Sequence, residues 1–168
     1  QLIDKQVSPR DGFTKYLFKG EGDEPFETVR IPLLHVKGQE KYVVCVSSQV
    51  GCAMGCAFCA TAKMGFRRNL QPWEIVDQVI QIRKDSSHPV RGVVFMGMGE
   101  PAHNLDNVLQ AIDLLGTEGG IGQRIAAIRV NRQMYKGKFG PHRAQKAQIM
   151  ARFHLQLDPA IALRQMIG

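Results

Sequence analysis

Gly51-Cys52-Ala53-Met54-Gly55-Cys56-Ala57-Phe58-Cys59 is the most informative stretch of this chain. It holds three of the four cysteines in the sequence, spaced four and then three residues apart. Thiolates bind soft or borderline metals, and a [4Fe–4S] cluster takes one cysteine per iron. Three cysteines leave one iron open, and an open metal position can hold a second molecule. The spacing therefore predicts an iron–sulfur site. A Cys₃His zinc site and a chance grouping of small buried cysteines are the alternatives.

The composition is that of one globular domain, with 44% hydrophobic and 22% charged residues among 168. No apolar run approaches membrane-spanning length, and the first five residues show no signal-peptide pattern. Cysteines clustered at one site do not resemble a disulfide framework and indicate a reducing compartment. We therefore expect a cytoplasmic protein without membrane contact. Since the sequence does not begin with Met, we also expect that part of the native N-terminus is missing.

The positive charge of the chain is confined to its last third. Residues 1–116 contain 13 Lys/Arg and 13 Asp/Glu, whereas residues 117–168 contain 9 Lys/Arg and 2 Asp/Glu, which accounts for the net charge of +7. Such a segment is either a solvated basic face or a surface that binds RNA phosphates, and composition does not separate the two.

Residues 13–18 and 26–31 predict two strands, joined by a turn over Gly20 to Pro25 into a β-hairpin. The period of two places Glu27 on the same face as Val29 and Ile31. A carboxylate on such an apolar face lies either in water near a strand end or in an apolar environment that raises its pKa. The second environment suits a general base. The residues alone favour the solvated alternative.

Alternating strands and helices follow. Residues 42–46 and 92–96 predict buried strands, and helices are predicted over 72–84 and 104–116. This alternation is typical of an α/β fold with a parallel sheet. Asn104 is expected to cap the second helix. The predicted core stripe of the first helix is Trp73, Val76, Val79, Ile80 and Arg83.

Gly97-Met98-Gly99-Glu100-Pro101 comes directly after the second predicted strand. Glycines allow the backbone to approach a ligand closely, and the carboxyl ends of strands form the active face of βα barrels. Glu100 can accept hydrogen bonds from a cationic amino group. As a bare glycine-rich turn the signal is weak.

The C-x₃-C-x-Phe-C arrangement resembles the signature of the radical S-adenosylmethionine superfamily. The segments around it are similar to the RlmN/Cfr family of RNA methyltransferases, which act on carbon 2 of adenine. These segments are Cys45 to Cys52, Thr61, Gly65-Phe66, Arg68-Asn69-Leu70, Gly97 to Pro101 and Asn104-Leu105. The resemblance runs from about Asp11 to Arg124.

The resemblance implies a partial radical SAM (βα) barrel preceded by a β-hairpin, with about three βα units where the superfamily typically has six. Its parts would be an N-terminal hairpin extension over 1–40, a radical SAM core over 41–124 and a basic segment without an assigned fold over 125–168.

The resemblance also implies residue roles. Cys52, Cys56 and Cys59 would hold the [4Fe–4S] cluster, and Gly99 and Glu100 would hold the amino acid part of S-adenosylmethionine. Glu27 would accept a proton. Cys45, otherwise a core residue, would form a disulfide with a second, methyl-carrying cysteine.

The implied reaction adds that methyl group to carbon 2 of an adenine after a 5′-deoxyadenosyl radical has activated it. The implied partners are ribosomal RNA, transfer RNA as a second substrate, and an electron donor such as flavodoxin or ferredoxin.

One departure is important, because the family's methyl-carrying cysteine lies downstream and no cysteine follows Cys59 here. Together with the loss of similarity after Arg124, it predicts a truncated or frameshifted member with impaired turnover; a diverged tail is the alternative. A non-enzymatic Fe–S or RNA-binding remnant is a second hypothesis, favoured by the basic residues 124–152. Another radical SAM enzyme, acting on protein or small molecules, is a third; the Glu27 segment and Cys45 argue against it.

Overall fold

The computed structural model describes residues 1–33 and 40–116, and the backbone of 125–128. The described residues belong to one compact unit, Gln1–Val130. The predictions for the basic tail fall on residues 129–168 and lie outside the described residues.

Eight strands, three α-helices and one 3₁₀ turn are present within the described residues. The strands are β1 (Leu2–Val7), β2 (Thr14–Lys19), β3 (Pro25–Leu33), β4 (Lys41–Cys45), β5 (Gln49–Gly51), β6 (Phe66–Asn69), β7 (Val90–Phe95) and β8 (Ile125–Ile128). The helices are α1 (Ala60–Lys63), α2 (Pro72–Asp85) and α3 (Leu105–Gly116), and the 3₁₀ turn is Pro101–Asn104.

Six strands form the main sheet in the order β1-β2-β3-β4-β7-β8. The pairs β1–β2, β2–β3 and β3–β4 are antiparallel, whereas the pairs β4–β7 and β7–β8 are parallel. The predicted hairpin is β2–β3, and β3 pairs with β4, so residues 1–33 and the start of the predicted core share one sheet. The α/β class is confirmed. The described strands pair in a linear order and do not close into a barrel.

The two faces of this sheet differ in what covers them. Side chains of β2 and β3 alternate between a face packed on α2 and a face that α2 does not cover. We call the first the helix-covered face; on these strands it consists of Thr14, Tyr16, Phe18, Phe26, Thr28 and Arg30. We call the second the open face; it consists of Lys15, Leu17, Glu27, Val29 and Ile31.

The alternation predicted for β3 is therefore correct, but the face with Glu27, Val29 and Ile31 is not the buried one. The buried positions on this strand are Phe26, Thr28 and Arg30. The Thr28 hydroxyl is satisfied in the core by Gln78 of α2, and the Arg30 guanidinium bonds to Asp85 O at the end of α2 and to the Thr14 hydroxyl.

Helix α2 begins at Pro72 with a capping box between Gln71 and Glu74. The predicted stripe on this helix is largely wrong, since only Val79 belongs to the buried set and Trp73 is 54% exposed. The buried positions are Glu74, Ile75, Gln78, Val79 and Ile82. Two polar residues thus occupy the core face of the helix, which a purely hydrophobic period does not anticipate.

Helix α3 follows its predicted period, and it buries Val108, Ala111, Ile112 and Leu115. Asn104 does not act as the predicted cap through its amide group. Its Nδ2 donates instead to the carbonyl oxygens of Ser48 (2.7 Å) and Leu70 (2.8 Å), which ties the start of α3 to two loops. None of the described helices has the length and apolar character needed to cross a bilayer.

Candidate active site

The loops that follow the parallel strands β4 and β7 interlock at their carboxyl ends. Gly97 N donates to Val46 O (3.1 Å), and Ser48 N donates to Met98 O (2.9 Å). The side chain of Gln49 accepts a hydrogen bond from Glu100 N (2.9 Å). The two stretches that sequence analysis singled out are therefore held against each other, as expected for loops at one edge of a parallel sheet.

A two-stranded ribbon, β5 and β6, encloses the cysteine segment. β5 pairs with β6 in antiparallel fashion, and Cys52 N donates to Gly65 O (3.1 Å). We call residues 52–65 the cluster loop. Gly51 has φ of +70°, and a Cβ there would overlap the Gly65 carbonyl oxygen, so this close approach requires glycine. The ribbon, which was not predicted, brings the two ends of the cluster loop together.

The three cysteines of the cluster loop are free thiols. Cys52 is buried, whereas Cys56 and Cys59 are half-buried. Burial raises the pKa of the Cys52 thiol; a backbone hydrogen bond from Met54 opposes this, and the nearby charges of Glu100, Cys56 and Cys59 raise the pKa further. The three thiols and Glu100 are therefore close enough to interact electrostatically.

The donor set fits an iron–sulfur cluster in its chemistry, because three cysteine thiols on one loop are the ligands that such clusters use. In the described part of the chain, however, no three Cys, His, Asp or Glu side chains converge closely enough to hold a metal ion. The predicted ligands share one loop but do not form a finished coordination site.

Gly99 and Glu100 lie beside the cluster loop. Gly99 has φ of +96°, and a Cβ there would lie 2.5 Å from Gln49 Cβ, so a side chain would clash. Glu100 is only 6% exposed and accepts a hydrogen bond from Ala102 N (3.2 Å) at the start of the 3₁₀ turn. Its negative charge is one of the causes that raise the pKa of the Cys52 thiol.

Glu27 and Cys45 lie on the same face of the sheet. Val29 is directly opposite Cys45 in the β3–β4 register, so Glu27 is diagonal to Cys45 on the open face. Diagonal neighbours in antiparallel strands are about 7–8 Å apart, within reach of each other's side chains and of a shared ligand. Sequence reasoning placed these two residues on separate strands without establishing that they face the same way.

The environments of these two residues differ. The Glu27 side chain is 43% exposed and forms an ion pair with Lys15 Nζ at 3.0 Å. This contradicts the apolar, desolvated surroundings considered for Glu27 and agrees with the solvated alternative. Burial raises the pKa of the Cys45 thiol, with a smaller opposing influence from a backbone hydrogen bond with Met96.

Comparison with known proteins now gives the family. The defining pattern of the radical SAM superfamily matches residues 46–148, which is more than half of the chain. The chain belongs to the radical SAM superfamily. Membership in it implies a [4Fe–4S] cluster and S-adenosylmethionine as cofactors.

A solved radical SAM structure has the same fold over most of this chain. It is a radical SAM methyltransferase from Sphaerobacter thermophilus, which superimposes with a TM-score of 0.67 and 34% identity over 76% of this chain and 37% of its own. This likeness agrees with the α/β architecture described above.

Several curated relatives are named as RNA methyltransferases. A probable RNA methyltransferase from Myxococcus xanthus is 57% identical over 110 residues, which is 66% of this chain and 30% of the relative. A probable dual-specificity RNA methyltransferase RlmN from Synechococcus sp. (strain PCC 6301) is 52% identical over 124 residues, 74% of this chain and 34% of the relative. This radical SAM chain therefore spans about a third of the length of these relatives.

The similarity reaches beyond the predicted limit at Arg124 in one relative. A probable RlmN from Acaryochloris marina is 42% identical over 164 residues, 96% of this chain and 42% of the relative. The superfamily pattern also extends to residue 148. A frameshifted tail after Arg124 stays a prediction. The superfamily pattern covers the first part of that tail, up to residue 148.

Four polar residues near the site were not identified from the sequence as site-forming. Ser47, Gln49, Glu74 and Gln78 are at most 2% exposed and hydrogen-bond to the loops around the cysteines. Arg68 of β6 forms two 2.8 Å hydrogen bonds to the Glu74 carboxylate. For Glu74 and Gln78, the sequence did carry a signal, because these two polar residues lie four apart in a helix predicted to pack on a sheet.

Proposed function

We propose that the cluster loop, Gly99, Glu100, Glu27 and Cys45 form part of the active site of an RNA methyltransferase. This enzyme methylates carbon 2 of adenine in ribosomal RNA, with transfer RNA as a second substrate. The observation that carries the proposal is the shared face of Glu27 and Cys45. The strand carrying Glu27 and the loop after Cys45 both bond to the loop that carries Gly99 and Glu100. The relatives named as RlmN methyltransferases support the RNA substrate.

In this proposal Cys52, Cys56 and Cys59 hold the [4Fe–4S] cluster, and Gly99 and Glu100 bind the amino acid part of S-adenosylmethionine. When bound, these cofactors would supply radical chemistry, started by one electron from the donor. Glu100 offers a buried carboxylate to the amino group, and Gly99 lets the loop that carries Glu100 pack closely on Gln49. A small acidic electron carrier such as flavodoxin or ferredoxin is the proposed donor.

Glu27 is the proposed proton acceptor for the adenine carbon. Its carboxylate lies on the open face, where a base splayed out of an RNA loop can reach it. Lys15 holds the carboxylate at 3.0 Å and adds a positive charge where an RNA phosphate would approach.

Cys45 is the proposed resolving thiol. Burial raises the pKa of its thiol above the ordinary value for cysteine. Its disulfide step requires a second, methyl-carrying cysteine, and the other three cysteines of these 168 residues belong to the cluster motif. We therefore expect these residues to cleave S-adenosylmethionine without completing methyl transfer.

Anaerobic reconstitution tests the cluster assignment. We expect about four irons per chain and a reduced-cluster electron paramagnetic resonance signal. Cys56→Ala should lose both, whereas the matched control Cys45→Ala should retain them. Stable zinc occupancy, or an unchanged cluster in Cys56→Ala, would contradict the assignment.

Product analysis tests the reaction. The reconstituted chain is incubated with reductant, S-adenosylmethionine and unmodified ribosomal RNA, and nucleosides are identified by mass spectrometry. We expect 5′-deoxyadenosine and no 2-methyladenosine. Formation of 2-methyladenosine that depends on this chain alone would show that a methyl-carrying cysteine is not required. Absence of both products with an intact cluster would argue against the cofactor-binding assignment.

A further inference from the structure

The backbone of Glu27 is bonded to two residues that are distant in sequence. Its carbonyl oxygen accepts a hydrogen bond from the Ser47 hydroxyl. Its N–H is directed at the Met98 sulfur, with an N to Sδ distance of 3.3 Å. The position of Glu27 is therefore fixed by contacts to the loops after β4 and β7 as well as by its strand neighbours.

Ser47 connects this segment with the cofactor loop, which we define as residues 97–100. The Ser47 hydroxyl donates to Glu27 O and accepts a hydrogen bond from Met98 N at 2.9 Å. Ser47 is fully buried. One hydroxyl thus joins the proposed proton acceptor to the residue that precedes Gly99.

The approach of the cofactor loop to Ser47 is close. A Cβ on Gly97 would lie 2.6 Å from Val46 O and 2.8 Å from Ser47 Oγ, distances too short for a real side chain. The loop can therefore reach the Ser47 hydroxyl only because position 97 is glycine. The contact therefore depends on the residue type at both of its ends, glycine at position 97 and serine at position 47.

Gln78 of α2 holds Ser47 in place. Its Oε1 accepts from Ser47 N (2.8 Å), and its Nε2 donates to Ser47 O (3.1 Å). The same Oε1 accepts from Thr28 Oγ1 (2.6 Å). Because Gln78 is itself buried, the backbone of Ser47 is fixed by a side chain that has little freedom to move.

We propose that Ser47 is a positioning residue that couples the Glu27 segment to the cofactor loop, with Gln78 as its support. The inference rests on the proposed function, in which Glu27 and Gly99–Glu100 act on the same reaction. Reacting groups need their supporting contacts fixed to within fractions of an ångström, and a shared hydrogen-bonding hydroxyl fixes two segments at once.

The chain supplies two matched controls. Ser48 is the neighbouring buried serine, and its hydroxyl has no hydrogen-bond partner among the residues that the structure describes, so Ser48→Ala removes the same group without breaking a described bond. Thr28→Val removes a buried hydroxyl from the same Gln78 but leaves the cofactor loop untouched. Ser47→Ala is compared with both.

The first measurement is hydrogen exchange of backbone amides by nuclear magnetic resonance, which needs no cofactor. Ser47→Ala should speed exchange at the Met98 amide by about threefold to tenfold, the equivalent of one net buried hydrogen bond. Ser48→Ala and Thr28→Val should leave this amide unchanged. If Ser47→Ala does not fold, Gln78→Met, which releases the Ser47 backbone, is expected to change the same amide.

The second measurement is the dissociation constant of S-adenosylmethionine for the reconstituted chain. Ser47→Ala should raise it about threefold to tenfold, whereas Ser48→Ala and Thr28→Val should stay within about twofold of wild type. A loss of affinity in Thr28→Val equal to that in Ser47→Ala would reduce Ser47 to a general structural role and overturn the proposal.

The two measurements separate this inference from the proposed function. A wild-type chain with an intact cluster that does not bind S-adenosylmethionine would refute the proposed function and the cofactor part of the inference. An unchanged Met98 amide in Ser47→Ala would overturn the coupling itself, whether or not the cofactor binds.

Discussion

The helix-covered face and the open face of the sheet use polar residues in opposite ways. On the helix-covered side, the Glu74 carboxylate is fully buried and accepts hydrogen bonds from Arg68, Gln71 N and Glu21 N. On the open side, the Glu27 carboxylate is 43% exposed and is paired with Lys15. Two glutamates of one unit thus lie in opposite environments, Glu74 shielded from solvent and Glu27 exposed to it.

The difference shows where stability and chemistry reside. Buried polar groups that are fully hydrogen-bonded fix the positions of the segments they join, and removing one partner leaves another group unsatisfied. Exposed pairs contribute little to stability because water and salt screen them. We therefore expect substitutions on the helix-covered side to lower the stability of the chain by more than substitutions on the open face.

Glu74→Gln should produce the largest loss of stability. The amide retains one acceptor oxygen but directs an N–H₂ group toward donors that the carboxylate now satisfies. It also removes the negative charge that pairs with Arg68, whose side chain is 24% exposed. We expect the free energy of unfolding to fall by about 3 kcal/mol, as for broken buried pairs. Urea denaturation followed by circular dichroism measures it, with Glu27→Gln as the matched exposed control.

Lowering the pH should reduce the folding stability that the helix-covered side gains from Glu74. Burial acts to raise the pKa of this carboxyl, but the hydrogen bonds from Arg68, Gln71 N and Glu21 N together outweigh it and lower the pKa below its ordinary value of 4.5. A lowered folded-state pKa stabilises the fold above the unfolded-state pKa, and this stabilisation is lost as pH falls through the folded-state value.

Urea midpoints measured from pH 7 to pH 3 test this dependence. The wild-type chain should lose stability below about pH 4.5, and Glu74→Gln should remove part of that slope because it cannot titrate. A Glu74→Gln chain with the same acid slope as wild type would assign the loss to other carboxylates.

Thr28→Val should have an intermediate effect. Valine keeps the shape of the side chain and its β-propensity, but it removes the 2.6 Å hydrogen bond to Gln78, whose Oε1 still accepts from Ser47 N. We expect a loss of about 1 kcal/mol. Val29→Thr, the adjacent residue on the open face, is the control and should change stability by less than about 0.5 kcal/mol. A larger loss at Val29 would show that this half-buried position is packed as tightly as the helix-covered face.

Glu27→Gln should have the smallest effect on stability. The ion pair with Lys15 is exposed on both sides, and such pairs contribute about 0.2–1 kcal/mol. We expect the urea midpoint and the affinity for S-adenosylmethionine to match those of wild type. A strong loss of either would place Glu27 in the folding core or the cofactor site and remove the contrast between the two faces.

The sequence by itself determined the features that depend on local spacing. Three cysteines within eight residues, a turn between two alternating segments, and a 3.6-residue period in residues 105–116 each predict their element from neighbours along the chain. The α/β class and the superfamily followed from these. The ribbon strands β5 and β6 were missed because three and four residues carry too little pattern to be recognised. Strand β1 was missed because all six of its residues are exposed, so it has no buried face to give an apolar alternation.

The tertiary structure alone decided which residues face each other. Both faces of β3 carry apolar and polar residues, so periodicity could separate the faces but could not tell which of them α2 covers. The bonds of Ser47 to Glu27 and Met98 join residues 20 and 51 positions apart. Such contacts depend on strand register and loop packing, and these arise only when the whole sheet assembles around Gln78 and Glu74.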